Sequence, residues 1–417
     1  MEPEILHEPV ALTGVGVVSP LGNDLQSLRK RLLENSPHIE WIQPRYMNRV
    51  PAGVCGFDET KHRSRKEIRR GTRAGTISIY CAREALADAG IDIDALEDKQ
   101  RTGVYIGIAE HGNVEVESEI ANLKAFDYDI GTWPHHPRSI ANNPAGETCI
   151  ALELPGPHCC IGAACAAGNY GIVHGAQQLL LGEVDLAIAG GVSESIHTFV
   201  PFASFQNQGA LAMNDDPNRA CRPLDRHRTG VVLAEGGCLF TMERLSDARS
   251  RGAHIHGIVA GWAINTDATS FTLPNELRQA EAMARALKHA GLKTDDVDLI
   301  NLHATGTREG DPVEVRAVRH LFGKDTTTLV NATKGFIGHT LGAAGALELA
   351  GNLPSFVDKV VHPCANLDEV DPECSLPGLV VSKPARADRL DTILNNSFGI
   401  LGINVVLIVS RYKEVQS

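Results

Sequence analysis

A chain of 417 residues is too long for one small core and predicts two structural units. Its net charge of −12 excludes the basic surface on which general nucleic-acid binding depends. Apolar residues make up 43% and charged residues 22%, an ordinary globular composition, and apolar runs such as Val184 to Val192 stop well short of membrane-spanning length.

The first predicted element is a strand over Val10 to Val18. A helical pattern follows from about Ala74 to Ala89, closed by Gly90, and then a strand over Gly103 to Gly107. His158 to Ile161 reads as a strand, and Ala166 to Leu181 as a helix with Ile172, Ala176, Leu179 and Leu180 on one face and Gly182 after it. The second half repeats the order. A strand over His256 to Gly261 leads to a helix from about Leu277 to Ala290 that ends at Gly291, then to a strand over Val297 to Leu302. Thr328 to Asn331 is a strand, Ala332 to His339 a turn, and Thr340 to Leu353 a helix. AREALADAGIDIDALEDKQRTGVYIG and MARALKHAGLKTDDVDLINLHATG match in order and spacing, although weakly at each position. Strands alternating with helices predict an α/β fold, and the duplication predicts two similar layered halves, 1–254 and 255–417, meeting at a shared site.

The ten cysteines contain no C-x-x-C pair, so neither a zinc site nor a disulfide framework is expected, and a reducing, cytoplasmic setting fits them. The segment MEPEILHEPVALTG lacks the basic and apolar stretches of an export signal, which leads to the same expectation. Cys165, in AACAAGNYG, stands apart from the others. Small neighbours leave room for a ligand, and the helix beginning just after it should favour a thiolate. His303 ends the strand LINLH and opens the loop HATGTREGD, where α/β proteins usually bind ligands. Thr305 and Thr307 alternate and can offer hydroxyls to one ligand. Asp311, Pro312 and Glu314 read as N-cap, N1 and N3 of a helix, a structural arrangement. In NATKGFIGHTLGAAG, Lys334 and His339 flank two glycines without forming a phosphate-binding G-x-x-x-x-G-K-[ST] loop. Glu348 can reach Lys334 if the following helix packs behind the turn. NNSFGILGIN lies between the strand-like runs Thr392 to Leu394 and Val405 to Ser410, as a turn approaching the site or as an ordinary hairpin.

In this order and spacing, ACAAG, HATGT, TKGFIGHTLGAAGALE and NNSFG resemble the elongating β-ketoacyl-acyl carrier protein synthases of the thiolase superfamily. TGVGVVSPLGN and RPLDRHRTGVVLAEGG extend the resemblance across Val10 to Arg411. It implies the duplicated thiolase α-β-α-β-α sandwich, a homodimer or a heterodimer with a related subunit, and decarboxylative condensation of a malonyl unit with a Cys-bound acyl group. It also implies an acyl carrier protein as partner. The substrates would ride on that partner's phosphopantetheine arm, with no metal and no cofactor of the enzyme's own. Cys165 matches the nucleophile, and His303 and His339 match the pair serving decarboxylation. Lys334 matches the ordering lysine and Glu348 its ionic partner. The amides of Cys165 and Ile400 match the oxyanion hole. Thr305 and Thr307 match hydroxyls beside the arm, and Phe398 and Ile400 match the substrate-side loop.

Against that pattern, Ile400 replaces a gating phenylalanine, Leu401 a glycine and Ile403 a threonine, while Ala304 stands in HATGT and Thr229 and Val231 replace an aspartate and a phenylalanine. A more open pocket for a bulkier acyl group is one expectation, and neutral repacking is the other. Lys61 to Arg73 forms a local basic exception, with Arg65, Lys66, Arg69, Arg70 and Arg73 expected to meet the acidic carrier protein and Lys66, Arg69, Arg70 and Arg73 on one helix face. A non-condensing acyltransferase and a chain-length-setting subunit remain the alternatives.

Overall fold

The computed structural model describes residues 8–96, 98–125, 127 and 136–414. Ten strands form its main sheet: β1 (Val10–Val18), β2 (Thr102–Ile108), β3 (His158–Gly162), β4 (Leu186–Ser193), β5 (Gly236–Arg244), β6 (Gly257–Thr266), β7 (Leu299–Asn301), β8 (Leu329–Asn331), β9 (Thr392–Gly399) and β10 (Ile403–Ser410). From the centre outward the first half runs β1-β5-β4-β2-β3 and the second runs β6-β10-β9-β7-β8. Each half begins with two antiparallel pairings and ends with two parallel ones, so the repeat predicted from sequence is also a repeat of strand order and direction. The halves join where Val10 to Leu12 of β1 pair with Gly257 to Val259 of β6.

The helices used below are α1 (Arg65–Arg70), α2 (Arg73–Asp88), α3 (Asn113–Ala125), α4 (Asn143–Leu152), α5 (Ala167–Leu180), α6 (Glu276–Ala290), α7 (Gly310–Phe322) and α8 (Ala344–Asn352). Gly90, Gly182 and Gly291 all have left-handed φ just beyond a helix, which supports the stops read from sequence. Apolar packing gives the layers. Ile77, Cys81 and Leu86 of α2, with Ala145 and Cys149 of α4, cover one face of the first half. Ala282, Met283 and Leu287 of α6, with Val315 and Val318 of α7, cover the matching face of the second. Between the halves, Ile172, Val173 and Leu179 of α5 and Ala346, Leu347 and Leu349 of α8 share one core with β1, β5 and β10. Each large side chain buried there contributes about 1.5–3 kcal/mol. With both faces of the sheet covered, every residue of β1 is buried.

Two predicted elements differ. NNSFG lies inside β9, and the turn is only Ile400–Gly402, so the hairpin reading describes the backbone and the loop still reaches the site. The basic helix stops at Gly71 and a new one starts at Arg73, capped by Thr72. Arg73 therefore does not share a face with Lys66, Arg69 and Arg70.

Candidate active site

Cys165, His303 and His339 come from three separate segments and converge. Their sulfur and ring nitrogens lie within 4.8 Å of one another, and all three side chains are buried at the foot of a cavity of about 440 Å³. Cys165 sits in a single 3₁₀ turn, Ala164–Ala166, between β3 and α5, and Ala164 before it is held at φ +46°. A side chain on Gly107 would meet the Ala167 carbonyl at 1.9 Å, so its absence lets the start of α5 rest directly on β2. The backbone amides of Ile400 and of Cys165 itself lie close to the sulfur.

Burial raises the thiol to about 11, against the opposing pull of the Lys334 charge and those two amides. The expected lowering by the helix start is thus outweighed in the free site by desolvation, because the sulfur is shut off from water.

The histidines are fixed from behind. His339 is pinned through its backbone, its N–H donating to the Val232 carbonyl at 2.7 Å and its carbonyl accepting from Ala234 at 2.9 Å. This is the work of the middle motif, RPLDRHRTGVVLAEGG. Nδ1 of His339 accepts from the Leu341 amide at 3.2 Å, so the ring proton sits on Nε2, which is buried and has no partner among the described residues. Nδ1 of His303 lies 3.2 Å from Nζ of Lys334, and an ammonium can only donate, which likewise assigns the His303 proton to Nε2. Burial, then the Lys334 charge, holds both rings well below the usual histidine range and keeps them neutral. The ring centroids are 5.3 Å apart at 81°, and Phe398 packs edge-on against His303 at 6.1 Å.

Lys334 opens a one-turn helix, Lys334–Ile337, and is fully buried. Its ammonium also donates to the His303 carbonyl and pairs with Glu348 on α8, so the helix does pack behind the turn as expected. Burial pushes the Glu348 carboxyl up, and the adjoining Lys334 opposes the push.

Sequence reasoning missed two buried carboxylates. Asp311 and Glu314 do not cap α7, which starts at Gly310 with Glu309 as N-cap. They are one turn apart on its inner face. Glu314 accepts from the amides of His303 at 2.8 Å and Ala304 at 2.7 Å, and from Asn396 Nδ2 at 3.0 Å. Asp311 accepts from the Gly306 amide at 3.0 Å and the Leu224 amide at 2.8 Å. Together they hold the HATG loop from below. The D-P-x-E spacing was visible, but a cap and an inward-facing pair share that spacing.

At the cavity wall Thr305 and Thr307 face each other, their hydroxyl oxygens 3.1 Å apart. Val231 lines the same cavity and packs with Cys165. Ile400 and Leu401 stand at the mouth, 38% and 65% exposed, with Phe271 and Leu273 also exposed there. Leu401 occupies the left-handed region at φ +68°, and its amide donates to the Phe271 carbonyl at 2.9 Å. Of the basic segment, Lys61 pairs with Glu84 at 2.7 Å, Arg63 with Glu147 at 2.9 Å, and Arg73 with Glu59 and the buried Glu235. Arg65, Lys66, Arg69 and Arg70 are exposed.

Comparison with known proteins agrees with this geometry. Residues 7–248 match the model of the β-ketoacyl synthase N-terminal domain, and residues 256–368 match that of its C-terminal domain. The chain belongs to the β-ketoacyl synthase family. It is 34% identical to 3-oxoacyl-[acyl-carrier-protein] synthase 2 of Synechocystis sp. over 412 residues, covering 97% of this chain and 98% of that one. The enzyme of the same name from Coxiella burnetii is 33% identical, with 96% and 98% covered. Among solved structures, a β-ketoacyl synthase from Burkholderia phymatum superposes with a TM-score of 0.90 at 27% identity, and the ishigamide ketosynthase/chain length factor with 0.88 at 29%, each covering 97% of this chain and 100% of its own. The predicted thiolase-type α/β fold is thereby shown. Among the described residues no helix is long and apolar enough to cross a membrane.

Proposed function

We propose that this ketosynthase joins a malonyl unit to a Cys165-bound acyl group by decarboxylative Claisen condensation, taking both from the phosphopantetheine arm of an acyl carrier protein. The observation that carries the reading is the convergence of a buried thiol with two neutral imidazoles that each carry their proton on Nε2. In the first half-reaction the Cys165 sulfur bonds to the acyl carbonyl, the arm's thiol leaves, and the thiol proton goes with it. The amides of Cys165 and Ile400 receive the intermediate's oxyanion. In the second, the C–C bond to the malonyl carboxylate breaks, CO2 departs, and the electron pair becomes an enolate. Its oxygen accepts from Nε2 of His303 and His339, each donor worth about 3 kcal/mol. The enolate carbon attacks the acyl carbonyl and expels the Cys165 thiolate. Lys334, held by Glu348, keeps the His303 proton on Nε2. Thr305 and Thr307 contact the arm, and Phe398 and Ile400 border the acyl group.

The carrier protein docks on Arg65, Lys66, Arg69 and Arg70, which have no acidic partner among the described residues, whereas Arg73 is committed inward. The outer edge of β3 supports a dimer. It ends the sheet with its backbone edge unpaired among the described residues, while the opposite edge, β8, is bridged by Leu379. Ten free cysteines fit a cytoplasmic enzyme of fatty acid or polyketide-type synthesis.

Purified protein incubated alone with malonyl-carrier protein, and then with acyl-carrier protein, tests the reading. Release of CO2 and formation of a 3-oxoacyl product are expected. Acylation of Cys165 without CO2 release would mean a non-condensing acyltransferase, and neither event would mean a partner subunit.

A further inference from the structure

A second cluster of ligating side chains lies apart from Cys165, in the first half alone. His111 follows β2, Glu194 follows β4, and Glu115 sits in the first turn of α3. One nitrogen or carboxylate oxygen from each lies within 4.8 Å of the others. Glu115 is 6% exposed, Glu194 is 2% exposed, and the His111 ring is buried.

The partners at the back of each side chain are defined. His111 Nε2 is 3.0 Å from the Arg138 carbonyl, to which it must donate, so Nδ1 is the nitrogen turned toward Glu194, 3.2 Å from its Oε1. Glu194 Oε2 is occupied by the Ala74 amide at 2.7 Å. The Arg138 guanidinium is directed elsewhere, to the Gly71 carbonyl at 3.2 Å and toward Glu119 at 3.8 Å. Among the described residues His111 Nδ1 and Glu194 Oε1 have only each other, and Glu115 Oε2 is left buried with no hydrogen-bond partner at all. Buried polar atoms are almost always satisfied, and an unpaired buried carboxylate oxygen beside an imidazole and a second carboxylate is what a bound ion would satisfy. A backbone carbonyl that fixes the outer nitrogen of a histidine is also the usual way its inner nitrogen is aimed at a metal.

We propose that His111, Glu115 and Glu194 bind one divalent first-row transition ion of the Zn²⁺ or Mn²⁺ class. One imidazole with two carboxylates is a donor set such ions accept, and metal–ligand bonds of about 2.1 Å require the three atoms to draw together around the ion. The ion ties the start of α3 to the ends of β2 and β4. Ala109, two residues before His111, packs in the apolar cluster that contains Cys165, so the ion steadies the wall behind the nucleophile.

Cys165, His303 and His339 also form a compact N/S cluster, and the experiment must separate the two. The Cys165→Ala protein is stripped with a chelator and titrated calorimetrically with Zn²⁺ and with Mn²⁺, and metal content is measured after dialysis. One ion per chain is expected, together with a raised melting temperature. Uptake should persist in Cys165→Ala/His339→Ala. It should weaken at least tenfold in Cys165→Ala/Glu115→Gln, which keeps the side-chain shape, and in Cys165→Ala/His111→Ala. The proposal is overturned if Cys165→Ala takes up no stoichiometric ion, or if uptake survives Glu115→Gln unchanged. Loss of uptake in the His339→Ala double variant alone would also overturn it. Should the His111→Ala protein fail to fold, the Glu115→Gln comparison decides.

Discussion

Replacing Glu348 by glutamine separates the charge of the buried pair from its shape. The Lys334 ammonium is fully buried, and its hydrogen-bond partners among the described residues are Glu348, the His303 carbonyl and His303 Nδ1. Removing one member of such a pair costs about 3–5 kcal/mol, and the glutamine oxygen keeps one acceptor, which places the loss near about 3. Folding stability should therefore fall by about 3–4 kcal/mol, read from the urea midpoint. Without the Glu348 carboxylate to hold it, the Lys334 ammonium is no longer fixed against His303 Nδ1 and no longer forces the His303 proton onto Nε2. Losing that donor removes about 3 kcal/mol of enolate stabilisation, so CO2 release from malonyl-carrier protein should drop about 100-fold. Acyl loading of Cys165 does not use the donor and should stay within about threefold, as judged by intact-protein mass spectrometry. A Glu348→Gln protein that melts with the parent and releases CO2 at the parental rate refutes the reasoning. So does a loss shared equally by loading and decarboxylation, since that would report damage to the whole site.

The Cys165 thiol is raised to about 11 by burial, so the rate of alkylation by iodoacetamide should keep climbing with pH through about pH 9; a plateau below neutrality would show that the helix start governs instead. Glu235 is held to about 2: burial pushes it up, but hydrogen bonds from His197 and Arg73 and the Arg73 charge prevail. Its stabilisation, about 3 kcal/mol against an unfolded value near 4.3, is fully present above that value and is lost as pH falls toward about 2. Glu235→Gln should remove it at neutral pH and flatten the acid limb of the stability curve, and an unchanged limb would contradict this. Leu401→Gly relieves a left-handed non-glycine residue that is mostly exposed, so stability should rise by up to about 1 kcal/mol by thermal melt, and a fall would mean that its side chain packs usefully. Ile400→Phe places a ring at the cavity mouth and should depress turnover of bulky acyl-carrier substrates while sparing short ones; an identical profile across the panel would show that this position does not select the chain.

What was legible in the sequence is what depends on periodicity and on a residue's own chemistry. Val10–Val18 is a strand because it is largely apolar and both of its faces are covered, and the helix stops follow from glycines able to take positive φ. Lys334 and Glu348 could be paired because a lysine in an apolar turn needs a counter-charge. Asp311 and Glu314 escaped because their task is set by what lies across the fold. Only with β7, α7 and β9 assembled do the amides of His303 and Ala304 and the side chain of Asn396 arrive over Glu314, and the amides of Gly306 and Leu224 over Asp311. Arg73 was misplaced for a related reason. Gly71 breaks the helix, and Glu235, far away in the chain, claims Arg73.

The duplication explains why the chemistry is divided as it is. Cys165 follows β3, the outermost strand of the first half, and His339 follows β8, the outermost strand of the second, so each precedes the central helix of its own half. Because α5 and α8 pack together in one core, their starts are drawn to the same place, and a nucleophile on one faces a hydrogen-bond donor on the other. His303 enters from β7, the second-half counterpart of β2, whose own extension carries His111. One strand position thus delivers a histidine to the reaction centre in the second half and, in the first, to the separate His111, Glu115 and Glu194 cluster. Lys334 makes the difference between them. Its ammonium fixes His303 as a neutral donor toward substrate, whereas His111 is fixed by a backbone carbonyl and turns Nδ1 toward carboxylates.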